Sequence, residues 1–338
     1  MPADKLVILG TGSWGTTLAV LFARLGLNVT LWARTPAEAA ALNARRENVD
    51  FLPGVPLPLT LHVTHDPAEA ARAASILLVV VPSQTVRANI REWRRFIQPE
   101  SIVVSAAKGI EVGSLMRMTE ILQAELPQLT PDKIAVLSGP NIAREIAAGL
   151  PASTVVAAES EHTARSVQTA LMSPVFRIYT HTDVCGLELA GALKNIYAIA
   201  AGVADGYSVG ENAKAALLTR ALAEMTRLGV ALGANPQTFA GLSGMGDLIC
   251  TCASPHSRNH TLGQRLAQGQ KLSEVLASMK MVAEGISTTQ AAHDLASKSG
   301  VEMPLMDQVY AVLFEHKSPR QAIADLMGRG AKTEFYGL

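Results

Sequence analysis

Seven short stretches of this 338-residue chain carry residue types and spacings that can do chemistry. Gly10-Thr11-Gly12-Ser13-Trp14-Gly15 follows an apolar run and opens a helical pattern, the context that gives G-x-G-x-x-G meaning. Gly10 suits a tight turn, Gly12 a close approach of backbone to a pyrophosphate, and Gly15 close helix–strand packing. The phosphates would then face the exposed N–H groups of the helix start. The chemistry is dinucleotide binding; the alternative is a glycine-rich turn without ligand. Where an NAD site carries an acid, about 20 residues on, the chain reads Leu31-Trp32-Ala33-Arg34-Thr35. Arg34 can bond the 2′-phosphate of NADP in a bidentate fashion. NADP(H) is therefore the preferred cofactor and NAD(H) the second, unless Arg34 is an ordinary surface residue. Trp14 either flanks the pyrophosphate or packs under the sheet edge, and packing is the stronger role for its ring.

The other stretches are polar interruptions of apolar surroundings. Ser105-Ala106-Ala107-Lys108-Gly109 follows a strand pattern and sets a lysine at the carboxyl end of a sheet, where open α/β folds bind ligands. Ser138-Gly139-Pro140-Asn141-Ile142-Ala143 does the same one strand later, with Pro140 near a helix start and Asn141 as its N-cap. Lys194-Asn195 sits among Leu187, Ala190, Leu193, Ile196, Tyr197 and Ala200 at helical spacing. Burial there lowers a lysine pKa and lets the amine exchange a proton near neutrality. The alternative is a lysine snorkelling from an amphipathic helix. Gly241 to Gly246 reads as a flexible-backbone loop ending in the carboxylate of Asp247. Ser257-Arg258-Asn259 opens a helix and makes a phosphate receptor, or else Arg258 only ion-pairs at the helix start. Cys250, Cys252, His256 and His260 have the composition of a zinc set, but the Cys spacing is too tight and the Cys–His separation too short. No metal is expected.

The elements that must position these groups change character once along the chain. The first half alternates short strand candidates with helical patterns, the rhythm of a parallel sheet covered on both faces. The strands are expected at Leu6–Leu9, Val29–Trp32, Ile76–Val81, Ile102–Ser105, Ile134–Leu137, Thr154–Ala157 and Phe176–Tyr179. After residue 182 the pattern is helical throughout: two long Ala-rich stretches, then segments near 260–268, 272–280, 286–299, 304–316 and 319–327. This predicts an α/β Rossmann-like N-terminal domain over residues 1–182 and an all-α substrate domain over 183–338, tightly packed because no Gly/Ser linker separates them. Lys plus Arg and Asp plus Glu each number 29, which argues against a nucleic-acid or anionic-membrane partner. Three cysteines make no disulfide framework, and no signal peptide or membrane-length apolar run is evident. A cytoplasmic protein is expected, and the 17% charged content suggests a homodimer.

Taken in order, GTGSWGTTLA, Lys108-Gly109-Ile110-Glu111, SGPNIAREIA, Leu193-Lys194-Asn195, GLSGMGDL and Ser257-Arg258-Asn259 resemble the NAD(P)-dependent glycerol-3-phosphate dehydrogenase family, closest to its bacterial biosynthetic branch. The resemblance implies a 6-phosphogluconate-dehydrogenase-like helical C-terminal domain and Lys194 as proton donor and acceptor. It implies that Lys108, Gly139, Asn141, Lys194, Asp247, Ser257, Arg258 and Asn259 line the substrate. Ser13, Trp14, Arg34, Lys108, Ala143, Arg258, Val282 and Glu284 would touch the cofactor beside Gly10, Gly12 and Gly15. Many relatives carry Ser or Thr where Asn141 stands, and the nucleotide-discriminating position varies between His and Arg. The implied reaction moves hydride from the nicotinamide to C2 of dihydroxyacetone phosphate as Lys194 protonates the forming alkoxide, giving sn-glycerol 3-phosphate for glycerophospholipid synthesis. The rivals are a hydroxyacid, 6-phosphogluconate or ketopantoate dehydrogenase of the same plan, and an NAD(P) sensor without turnover.

Overall fold

Strand candidates that are apolar at every position must be covered on both faces. In the computed structural model, which describes residues 5–279 and 281–334, they are. The chain divides into two units, the first comprising residues up to Ala107 together with Met118–Val184. In chain order it contains β1 (Lys5–Leu9), α1 (Ser13–Arg24), β2 (Asn28–Trp32), α2 (Pro36–Arg45), β3 (His62–Thr64), α3 (Pro67–Ala71), β4 (Ala74–Val79), α4 (Val86–Trp93) and β5 (Ile102–Ser105). After the excursion of residues 108–117 come α5 (Met118–Glu125), β6 (Ile134–Ser138), α6 (Ala143–Ala147), β7 (Ala152–Ala158), α7 (Glu161–Leu171) and β8 (Phe176–His181).

The eight strands form one sheet in the order β3-β2-β1-β4-β5-β6-β7-β8. The order reverses direction at β1, flanked by β2 and β4, and this is the switch point at which open α/β sheets bind ligands. Every position of β6 and all of β1 after Lys5 is buried. Two expectations change here. β3, three residues long, was not foreseen, and β7 runs antiparallel to β6 although its pairing with β8 is parallel. The connection between β6 and β7 explains this. Its only helix, α6, has five residues, roughly 7.5 Å at 1.5 Å per residue. That is too short to carry the chain back along a five-residue strand of about 17 Å.

The second unit comprises Lys108–Arg117 and everything from Cys185 onward. It is helical: α8 (Val184–Gly206), α9 (Glu211–Ala231), α10 (Pro236–Phe239), α11 (Asp247–Ala253), α12 (Arg258–Ala267), α13 (Leu272–Ser278), α14 (Glu284–Ser299), α15 (Pro304–Phe314) and α16 (Pro319–Met327). The expected boundary at residue 182 places Lys108–Arg117 in the first domain. Ile110 is instead fully buried in the helical core, and Arg117 Nη1 lies 2.7 Å from the buried Glu188 carboxylate on α8. α8 organises this unit. Every residue from Gly186 to Ile199 is buried, so it is a core helix enclosed on all sides rather than an amphipathic one. Among the described residues it alone is long and apolar enough to cross a membrane by length and composition, and its burial marks it as the interior helix of a folded unit.

Candidate active site

The glycine turn between β1 and α1 is built by backbone proximity. Gly10 has φ of +115°, and a Cβ there would lie 2.6 Å from the Val80 carbonyl oxygen. A Cβ on Gly15 would lie 2.0 Å from the carbonyl oxygen of Gly10, so α1 can begin this close to the turn only with glycine at that position. Gly12 is the N-cap of α1 and provides no side-chain cap, and the space its Cβ would fill is open. The first N–H groups of α1 thus meet an open cradle at the positive end of the helix. A pyrophosphate fits that cradle. The turn is stiffened from outside: Asn48 Nδ2 donates to the Thr11 carbonyl at 2.7 Å and to Thr16 Oγ1 at 2.8 Å.

Around this start cluster most of the residues expected to touch a dinucleotide. Ser13 donates from Oγ to the Phe51 carbonyl. The Trp14 ring packs on the sheet core against Phe176 with centroids 6.4 Å apart, the packing role foreseen for it. Thr17 Oγ1 donates to the Ala143 carbonyl at 3.2 Å, which joins the start of α6 to α1. Arg34 is exposed just past the end of β2. Asn141 departs from expectation. The N-cap of α6 is Ile142, and the Asn141 amide turns back instead, donating from Nδ2 to the Gly139 carbonyl at 3.1 Å and to Thr154 Oγ1 at 3.0 Å. Thr154 spends its own hydrogen on the Ser138 carbonyl, which fixes Asn141 with Oδ1 buried and accepting no hydrogen bond among the described residues.

In the second unit, side chains from two distant segments converge on one carboxylate, together with a threonine of its own helix. The segment Leu242–Gly246, expected as a flexible loop, is an ordered wide helical turn closed by the Gly246 N–H donating to the Gly241 carbonyl at 3.1 Å. Such turns recur at functional sites, and this one leads directly into α11, whose first residue is Asp247. Asp247 is 2% exposed. Its Oδ2 accepts from Lys108 Nζ at 2.6 Å, and its Oδ1 lies 3.2 Å from Lys194 Nζ. Lys194 Nζ also donates to Thr251 Oγ1 at 2.6 Å, and Thr251 donates to Asp247 Oδ1 at 3.1 Å one helical turn away. Burial pushes the Lys194 pKa below the usual lysine value; Asp247 opposes this, while the positive charge of Lys108 adds to it. Burial alone would raise the Asp247 pKa, but the two ammonium groups outweigh it and hold the carboxyl below its usual value. Sequence reading did not single out Thr251. Its spacing of four from Asp247 on one helix was the available signal.

The Ser257-Arg258-Asn259 segment is tied to the same helix. A Cβ on Gly202 of α8 would lie 1.9 Å from the His260 carbonyl oxygen, so α8 and α12 cross in backbone contact. There Asn259 Nδ2 donates to Asn195 Oδ1 at 2.9 Å, and Asn259 Oδ1 accepts from the Gly285 N–H at 3.0 Å. Ser257 caps α12, its Oγ accepting from the His260 N–H at 3.2 Å. The exposed Arg258 donates from Nη1 to the Val282 carbonyl at 2.6 Å, drawing Val282 and Glu284 to the start of α12. Of the zinc-like set, Cys252 is fully buried, which pushes its thiol up to about 12, and His260 Nε2 is bonded to Asp205 at 2.7 Å. Among the described residues no three His, Cys, Asp or Glu side chains form a metal-holding group.

Two family models cover the chain: NAD-dependent glycerol-3-phosphate dehydrogenase N-terminus over residues 5–164, and the C-terminus of the same enzyme over residues 183–324. The chain is 51% identical over 332 residues to a glycerol-3-phosphate dehydrogenase of Citrifermentans bemidjiense, spanning 98% of this chain and 99% of that one. It is 50% identical over 330 residues to the Streptomyces avermitilis protein of the same name, spanning 98% of each. The crystal structure of a glycerol-3-phosphate dehydrogenase from Coxiella burnetii superposes with a TM-score of 0.92 at 37% identity, spanning 96% of this chain and 99% of that one.

Proposed function

The chain belongs to the NAD-dependent glycerol-3-phosphate dehydrogenase family, and from that premise we propose how its own residues carry out the reversible reduction of dihydroxyacetone phosphate to sn-glycerol 3-phosphate. The observation that carries the reading is the Lys194 amine, buried on a core helix and bracketed by Asp247 and Thr251. When bound, NAD(P)H supplies the hydride that reduces C2 of the ketone. Lys194 Nζ donates its proton to the carbonyl oxygen as charge develops there, and in the reverse direction the neutral amine takes the hydroxyl proton back. Asp247 holds the ammonium groups of Lys194 and Lys108 on its two oxygens, which keeps them in place despite their mutual repulsion. Lys108 adds positive charge to stabilise the developing oxyanion.

Arg258, with the Ser257 hydroxyl and the remaining hydrogen of Asn259 Nδ2, receives the substrate phosphate at the start of α12, so that remote binding energy orients the reacting carbonyl. Gly10, Gly12, Ser13, Gly15 and Ala143 hold the dinucleotide at the start of α1. Arg34 favours NADP(H), with NAD(H) also accepted. A homodimer in the cytoplasm supplying glycerophospholipid synthesis completes the reading, supported by the low charge content and three free cysteines. Absorbance at 340 nm tests it. Addition of dihydroxyacetone phosphate to enzyme and NADPH should oxidise the cofactor, while ketopantoate and other 2-keto acids should not. Turnover of the acids alone would assign the chain to a rival dehydrogenase, and turnover of neither would leave a nucleotide-binding sensor.

A further inference from the structure

A glutamate at the third position of a helix normally reaches back to the N–H of its own N-cap residue. Glu38 of α2 does not. Its backbone N–H donates to the N-cap Thr35 Oγ1 at 3.2 Å, but its carboxylate extends beyond the cap. Oε2 accepts the N–H of Arg34 at 3.2 Å, and Oε1 accepts the hydroxyl of Thr11, the residue between the first two glycines of the turn. One half-buried carboxylate therefore bridges the glycine turn and the end of β2. These two segments are already joined by the Gly10 N–H donating to the Trp32 carbonyl at 3.4 Å. In a dinucleotide fold the acid that accepts from the adenosine ribose 2′-hydroxyl comes from this region, and an arginine there accommodates a 2′-phosphate instead. The strand end itself carries only Arg34, whereas the fold brings in an acid from the following helix.

A guanidinium that attracts a 2′-phosphate and a carboxylate that repels it thus share one short segment. We propose that Glu38 is a specificity-determining residue of the dinucleotide site, its carboxylate favouring the ribose 2′-hydroxyl of NAD(H) and opposing the 2′-phosphate of NADP(H) that Arg34 would bind. The inference rests on the reading that the glycine turn binds NAD(P) and that Arg34 meets the 2′-phosphate. It makes the cofactor preference a balance between two side chains rather than the property of one.

Calorimetric titration with 2′,5′-ADP and with 5′-ADP tests it without turnover, using the full chain and the variants E38Q, E38A and R34A. Glutamine can keep an acceptor on Thr11 while removing the charge. E38Q should tighten 2′,5′-ADP by at least about fivefold, the effect of deleting one nearby like charge, and leave 5′-ADP nearly unchanged. E38A should tighten 2′,5′-ADP in the same direction and weaken 5′-ADP through loss of the ribose acceptor, so it serves if E38Q folds poorly. R34A should weaken 2′,5′-ADP about tenfold, one charged hydrogen bond, without affecting 5′-ADP. An unchanged ratio of the two ligands in both Glu38 variants, with R34A behaving as stated, overturns the role of Glu38 alone. An unchanged ratio in R34A overturns the Arg34 reading, and failure to bind either nucleotide overturns the dinucleotide site.

Discussion

The glycine turn and the Lys194 cluster solve the problem of presenting charge to a ligand in opposite ways. The turn uses backbone: N–H groups at a helix start, with Gly15 lacking the Cβ that would block the approach of α1 and Gly10 the one that would meet the Val80 carbonyl. The cluster uses side chains that have given up water, two ammonium groups and a hydroxyl around a carboxylate that is 2% exposed. A backbone site is contiguous in the chain and tolerates few residue types, whereas a desolvated side-chain site can be gathered from anywhere but depends on every partner. The first should fail through geometry and the second through charge.

The largest effect separating them is on turnover. Lys194→Ala should lower kcat by about 10²–10⁴ with little change in KM, because a proton donor acts mainly in the transition state. Steady-state kinetics with dihydroxyacetone phosphate checks this, and near-normal kcat would remove the proton-transfer role. Gly15→Ala should instead act through the fold. Its Cβ meets the Gly10 carbonyl oxygen at 2.0 Å, and such overpacking costs about 1–3 kcal/mol. Thermal unfolding should show that loss together with weaker NADPH binding, and an unaltered Tm would mean that α1 can move away from the turn. Thr251→Ala should have the smallest effect, about fivefold in kcat for one hydrogen bond, largely restored by Thr251→Ser. A loss as great as that of Lys194→Ala would make Thr251 more than a positioning residue.

The same contrast decides what could be read from the chain. The turn was legible because its residues are consecutive and lie between a strand pattern and a helix pattern. Burial of Lys194 was legible from its apolar neighbours at helical spacing. Asp247 came beside it only with the resemblance and Thr251 not at all, since both lie on a segment more than 50 residues away, joined to α8 by the folded core. Asn141 was misread as a cap because Thr154, which captures its amide, lies on the neighbouring strand. In the sheet, the three residues of β3 are too few to display a period, and the reversal of β7 depends on the length of a helix rather than on any strand residue. Glu38 escaped notice for a similar reason: it lies beyond the strand end but reaches back to the turn.

The central claim is that a desolvated Lys194 exchanges the proton, and the pH dependence of kcat/KM in both directions tests it most directly. Reduction consumes the ammonium form, so it should fall as pH rises through a pKa below the usual lysine value, while glycerol 3-phosphate oxidation rises through the same pKa. Asp247 raises the Lys194 pKa, so Asp247→Asn should move that limb to still lower pH. A limb at the ordinary lysine value of about 10.4 in the wild type, unmoved by Asp247→Asn, would contradict the account.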